Sequence, residues 1–314
     1  MPLSTEHTGQ SKPHRAMVHW ATSRIGRPLV IAPPYLWLAL FFLIPFAMVL
    51  RIALSDTAQA LPPYTPHWLG LDRIGEFLSQ LSFGTFATLA VDTLYLDAYL
   101  SSLRLAGIST LIALVVGFPV AYAMSCAPKR WQPALLVAVI LPFWTSFLIR
   151  VYAWIAILKP EGVLNAALSW AGFDLQIQIL DSETAVLIGM VYSYLPFMVL
   201  PLYTSLERLD RSLLEAAADL GSPPWKSFWT ITVPLALPGV IAGCFLVFIP
   251  AVGEFVIPDL LGGPDTLMIG KVLWTEFFSN RDWPVSSAVA VVLLLILLGP
   301  ILLFHHLTGE RRGV

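Results

Sequence analysis

Six apolar runs divide the chain, each long enough to cross a bilayer's hydrocarbon core, which takes about 20 residues of helix. They are Leu29–Leu50, Leu103–Met124, Ala134–Leu158, Thr184–Leu206, Leu235–Ile257 and Pro284–Leu307. Apolar sequence of this length reads as helix, because a lone segment in lipid satisfies its backbone only by bonding to itself. The predicted fold class is therefore all-α, a polytopic membrane protein with six transmembrane helices. Pro33, Pro34, Pro45, Pro119, Pro142, Pro196, Pro201 and Pro250 fall inside the runs. Such breaks are tolerated where neighbouring helices satisfy the freed carbonyls. The pattern yields an N-terminal tail (1–28), a first anchor span (29–50), an outer segment (51–102), a core of five spans (103–307) and a short C-terminal tail (308–314).

Lys and Arg set the orientation, since they collect on the inner side of a membrane. With the N-terminus inside, eleven of the 18 basic residues fall on inner segments and four on outer ones; Arg51, Arg104 and Arg150 lie in the spans or at their edges. Both termini are thus expected to be cytoplasmic. The stretch Phe77–Leu100 is moderately apolar, but Asp92 and Asp97 interrupt it without an evident partner, so it reads as an outer amphipathic segment. A seventh span there would reverse everything after it. The polar, basic N-terminal tail has no cleavage pattern; it reads as disordered, and the span behind it as an uncleaved anchor.

The interruption between the fourth and fifth spans, residues 207–234, is unusual. It contains EAAADLGSPPWKSFWTITVP, about twenty residues of helix-forming and aromatic sequence where a brief charged turn would suffice. Leu213, Leu214, Ala217 and Leu220 recur at helical spacing, as do Trp225, Phe228, Trp229 and Ile231. This predicts two short helices, Ser212–Leu220 and Trp225–Val233, joined at Gly221, where glycine can take the left-handed conformation that closes a helix. Two amphipathic helices on an inner surface suit docking into a groove on a soluble partner.

Glu215, Ala216, Ala217, Gly221, Ile231 and Pro234 fall on the spacing of the EAA loop of bacterial ABC importer permeases, which this segment resembles; Val233 stands where that family usually has Leu. The resemblance implies that the loop, with Leu220 in it, docks into an ATPase subunit. LPFWTSFLIRVYAWIAIL in the third span, VYSYLPFMVLPLY in the fourth, VFIPAVGEFVIPDLLGGPD after the fifth and NRDWPVSSAVA before the sixth are similar to the polyamine branch of these permeases, nearest its putrescine members. The similarity extends over roughly residues 100–310.

Composition narrows the chemistry. The chain is 57% hydrophobic and 12% charged, about half the charge of an ordinary soluble domain. A net charge of −2 without a basic patch argues against a nucleic-acid partner. Cys126 and Cys244 lie on different helices and read as small membrane residues; the scattered histidines, His305 and His306 included, form no ligand motif, so no metal or other cofactor is expected. Around Gly270-Lys271, Asp265 replaces the first glycine of a phosphate loop and Val272 its Ser or Thr, so ATP hydrolysis belongs to another chain and no catalytic residue is assigned.

A diamine or triamine asks for carboxylates to balance its ammonium ends and aromatic faces to cover its methylenes. Glu254 and Asp259 are the acids after the fifth span, and Trp144, Tyr152, Trp154, Tyr192 and Tyr194 are the aromatics at comparable depth. Glu254 falls roughly 29 Å along a helix from Leu235, near the outer mouth. Acids and aromatics also gather at membrane interfaces without any cargo. Arg150 would repel a cation, and it reads as structural or as a contact for a binding protein.

The resemblance implies a type I importer fold. The implied assembly adds a second homologous permease, two copies of an ATPase subunit and a periplasmic binding protein that delivers a polyamine, putrescine foremost, with this chain itself in the lipid of the bacterial inner membrane. Another organic solute as cargo, or an ion-driven secondary transporter, is the alternative.

Overall fold

The computed structural model describes residues 26–67, 79–173 and 176–309. The N-terminal tail up to residue 25, Phe77 and the C-terminal tail from residue 310 lie outside the described residues, as do the side chains of His305 and His306. Among the described residues the elements are helical but for one small hairpin. α1 (Gly26–Leu38), a π-helical turn (Ala39–Leu43) and α2 (Ile44–Ala53) make the first span. β1 (Asp56–Thr57) and β2 (Tyr64–Thr65) pair antiparallel, followed by α3 (Gly84–Val91) and α4 (Thr93–Cys126). α5 (Gln132–Ile140), a 3₁₀ turn (Leu141–Trp144), α6 (Phe147–Leu158) and α7 (Val163–Trp170) come next, then α8 (Glu183–Glu207) and α9 (Ser212–Asp219). α10 (Pro224–Ser227), a π turn (Phe228–Thr232) and α11 (Val233–Val252) run on continuously. α12 (Val256–Leu261), α13 (Ile269–Trp274), a π turn (Thr275–Ser279) and α14 (Trp283–Gly309) complete the chain.

Among the described residues five helices are long and apolar enough to cross a membrane, and α5 to α7 make a sixth if the bent pair is one span. The predicted spans are all recognisable, with three differences. The second helix starts at Thr93, ten residues before the expected Leu103, because the Asp92 carboxylate accepts the Leu94 N–H (2.9 Å) and caps it. The outer segment 77–100 is thus largely helix: α3 and the first turns of α4. The third span is not one helix over 134–158. It breaks at Thr145–Ser146 and turns by 87°; Pro142 offers no N–H to continue the ladder, and the Thr145 hydroxyl donates to the Pro142 carbonyl at 2.7 Å. The fifth helix ends at Val252 and not at Ile257, so Glu254 sits in a turn beyond it.

The core is α4, α8 and α11. Helices in lipid gain no hydrophobic drive from meeting each other, so small residues that admit close backbones decide where they cross. Gly239 and Gly243, one turn apart on α11, lie against α8: a Cβ at 239 would stand 2.7 Å from the Pro201 carbonyl oxygen, and one at 243 would stand 2.7 Å from the Met198 sulfur. Several polar groups inside the bundle find their partners within it. Thr110 Oγ1 donates to the Ala106 carbonyl (2.7 Å), and the Tyr99 hydroxyl donates to the Val289 carbonyl on α14 (2.8 Å). Ser102 accepts the Ile269 N–H (2.7 Å) and so holds the start of α13. α14 packs on α2, and the hairpin straps that end: Arg51 Nη2 donates to the Tyr64 hydroxyl (2.9 Å), and Thr57 Oγ1 donates to Asp282 (2.9 Å) ahead of α14. The first span otherwise stands apart from its own chain, with 6% of its apolar window buried.

Candidate functional site: the 207–234 loop and an aromatic cluster at the opposite end

The predicted helix break at Gly221 is present, and its hydrogen bonds explain the spacing of the motif. Gly221 has φ +79°, its N–H donates to Ala218 O (2.8 Å), and the Ser222 N–H donates to Ala217 O (2.9 Å). This is the paired 6→1 and 5→2 closure that a left-handed residue allows at a helix end. No atom lies within 4 Å of a Cβ built there, so glycine is needed for its backbone and not for space. Pro223 and Pro224 stop α9 and open α10. At the other end Asp210 accepts the Ser212 N–H (3.0 Å), which holds its carboxyl below the ordinary carboxylate range.

α9 stands where the first of the two loop helices was expected. The second, expected over Trp225–Val233, is not a separate helix. α10 and the π turn flow into α11, and Ile231 sits half-buried in that π turn. Pro234 follows at once; a π turn makes longer-range backbone bonds and so accommodates a residue that lacks an N–H. The loop is clamped to α4. Phe228 packs edge-on against Phe118 and Tyr122 (5.7 and 5.8 Å between centroids), Arg211 Nη2 donates to Ser125 O (2.9 Å), and Lys129 pairs with Glu207 (3.1 Å). A cavity of about 650 Å³ opens between loop and helix ends, lined by Tyr122, Lys129, Glu207, Arg211 and Glu215 among others. Outward, the loop shows Leu213, Leu220, Trp225 and Trp229, with Leu220 89% exposed. Glu215 and Ala216 are exposed beside them and Ala217 is half-buried. This is a rigidly mounted apolar hairpin.

At the opposite end of the bundle, Glu254 is 8% exposed. Its Oε1 accepts the backbone N–H groups of Phe255 (3.2 Å), Val256 (3.0 Å) and Ile257 (3.4 Å), which caps α12, and its Oε2 accepts the Tyr194 hydroxyl. α13 lies against this turn, where a Cβ on Gly270 would stand 2.4 Å from the Gly253 carbonyl oxygen. The other predicted acid, Asp259, pairs with Lys271 at 3.3 Å. Trp154 and Tyr192 meet edge to face (5.4 Å), while Trp144 and Tyr152 are exposed. The structure thus joins Glu254 to Tyr194 and Trp154 to Tyr192, and gives Asp259 a different partner. Sequence reasoning missed Phe143, Phe147 and Phe197, which continue the aromatic surface: Phe197 lies 6.3 Å from Tyr194 and 5.0 Å from Phe143. The three- and four-residue intervals Tyr194–Phe197 and Phe143–Phe147 were the available signal.

Comparison with known proteins adds to this geometry. Residues 113–307 match the family described as "Binding-protein-dependent transport system inner membrane component". The chain belongs to this family. As a member of it, the chain is a multi-pass inner-membrane component of a transport system and not an enzyme. Among its relatives is the spermidine/putrescine transport system permease protein PotB of Haemophilus influenzae, 39% identical over 86% of this chain and 89% of that protein. The protein of the same name from Escherichia coli K12 is 40% identical over 83% of this chain and 90% of its own. Among solved structures, a chain of a bacterial alginate ABC transporter in complex with its alginate-bound periplasmic protein superposes with a TM-score of 0.67 at 17% identity, covering 96% of this chain and 97% of that one. At that identity the likeness speaks for the fold, the type I importer permease fold.

Proposed function

We propose that this chain is one permease subunit of an ATP-driven importer of polyamines. The observation that carries the cargo is the 39–40% identity, over most of both chains, with permeases named for spermidine and putrescine. Those names give both amines, so the putrescine preference expected from sequence is a finer proposal than the class. A second homologous permease, two ATPase subunits and a periplasmic polyamine-binding protein complete the assembly. Both termini and the 207–234 loop face the cytoplasm.

In this reading α9 with Leu220 at its end, Trp225 of α10 and Trp229 of the π turn after it seat in a groove of the ATPase. Closure of the ATPases moves the hairpin, and the Phe228 and Arg211 clamps pass the movement to α4 and the core. The outer mouth then opens to the binding protein, and resetting releases cargo inward. Glu254, Asp259, Trp144, Tyr152, Trp154, Tyr192 and Tyr194 line the path. The aromatics cover methylenes, Glu254 contributes charge from a fixed position, and Lys271 tempers Asp259. The deciding experiment is ATP-dependent uptake of labelled spermidine and putrescine by the reconstituted complex with its cognate binding protein. Uptake of at least one is expected; uptake of neither, with the complex hydrolysing ATP, overturns the cargo.

A further inference from the structure

Arg150 lies four residues beyond the break in the third span. Its guanidinium carbon is 5.1 Å from the ring centroid of Phe143 and 5.7 Å from that of Phe147. Both are within the ~6 Å over which a ring face attracts a cation. Nε and Nη1 are buried, and no acceptor among the described residues bonds to either. A buried charged donor without an acceptor carries its full desolvation penalty. The break itself makes this arrangement: Phe143 belongs to the 3₁₀ turn before it and Phe147 opens α6 after it, so the bend brings two rings to one cation. Phe197 stands edge-on to Phe143 and near Tyr194, whose hydroxyl reaches Glu254. A continuous aromatic row therefore runs from a held carboxylate to a guanidinium with unmade hydrogen bonds.

We propose that Phe143 and Phe147 form a binding site for a primary ammonium group of the cargo, which Arg150 occupies as a tethered stand-in until the cargo displaces it. This rests on the polyamine reading above. An alkylammonium offers the rings the same attraction as the guanidinium. Once displaced, Arg150 can bond water or carbonyls and recover donors that go unused here, so the exchange favours a cationic cargo. A neutral solute offers the rings no charge in return and leaves Arg150 in place. The positive charge expected from sequence to oppose a cation path is then its selectivity element.

The test is equilibrium binding of radiolabelled spermidine to the purified permease–ATPase complex without binding protein. Arg150→Met keeps the apolar stem and removes the charge; it is expected to bind about five-fold more tightly than the unsubstituted complex. Arg150→Lys, which retains a tethered cation, should bind as weakly as the unsubstituted complex. Adding Phe143→Leu to Arg150→Met should abolish the gain. The proposal is overturned if Arg150→Met binds no more tightly. It is also overturned if the double variant binds as tightly as the single one, since lost charge repulsion would then explain everything. ATP-driven spermidine uptake by the unsubstituted complex, measured alongside, reports on the cargo reading separately.

Discussion

At the scale of single side chains, Glu254 uses both oxygens within its own subunit, one on three backbone N–H groups and one on Tyr194. Glutamine can reproduce both halves: its carbonyl accepts the N–H groups and its amide donates to the tyrosine oxygen. Glu254→Gln is therefore expected to assemble normally, and any loss of polyamine uptake then measures the negative charge. Glu254→Ala leaves the end of α12 uncapped, costs about 1–2 kcal/mol, and should appear as a lower Tm and lower yield of the complex. Normal uptake by Glu254→Gln would remove the carboxylate from the path. The sequence showed an acid in apolar surroundings and so flagged the residue. It could not show the cap, because the fifth apolar run continues unbroken across the turn at Gly253. Nor could it show Tyr194, sixty positions away.

At the scale of elements, the α9 closure was legible because its whole logic is local: a helix, a left-handed glycine and two prolines within the thirteen residues Ser212–Pro224. Gly221→Pro removes the N–H that donates to Ala218 and forbids the positive φ. It should leave the permease in the membrane and abolish binding-protein-stimulated ATPase activity. Gly221→Ala keeps the N–H and costs about 1–2 kcal/mol of backbone strain, so a partial loss of stimulation is expected. Normal stimulated activity in the proline variant would show that the closure is not needed for docking. Gly243→Leu tests the α8–α11 crossing. The added side chain meets the Met198 sulfur and backbone, and an overpacked core loses about 1–3 kcal/mol, readable as a lower Tm in detergent. The break in the third span was poorly legible. Pro142 sits beside it, yet Pro196 and Pro201 lie inside the continuous α8, so proline alone does not locate a bend.

At the scale of the whole molecule, the number and order of spans could be read from hydropathy because each must match the bilayer thickness. The parity that puts the α9 loop on the N-terminal side depends on the bent pair being one crossing. Impermeant maleimide tests this in a background with Cys126 and Cys244 replaced by serine: a cysteine at Asp265 should react from outside intact cells and one at Ser222 should not. The reverse pattern would overturn the orientation. Hydropathy could not show how far α4 extends beyond the membrane. At 34 residues it is about 51 Å long, against a hydrocarbon core of about 30 Å. Its C-terminal end holds the 207–234 loop through Ser125, and its N-terminal portion holds α13 through Ser102 and α14 through Tyr99. One stiff rod fastened at both ends leaves little room for delay. Fluorophores at the docking loop and at the outer turn should relax with a single shared time constant after ATP is added; two separated phases would mean that α4 yields in its middle, where Pro119 interrupts its backbone bonding.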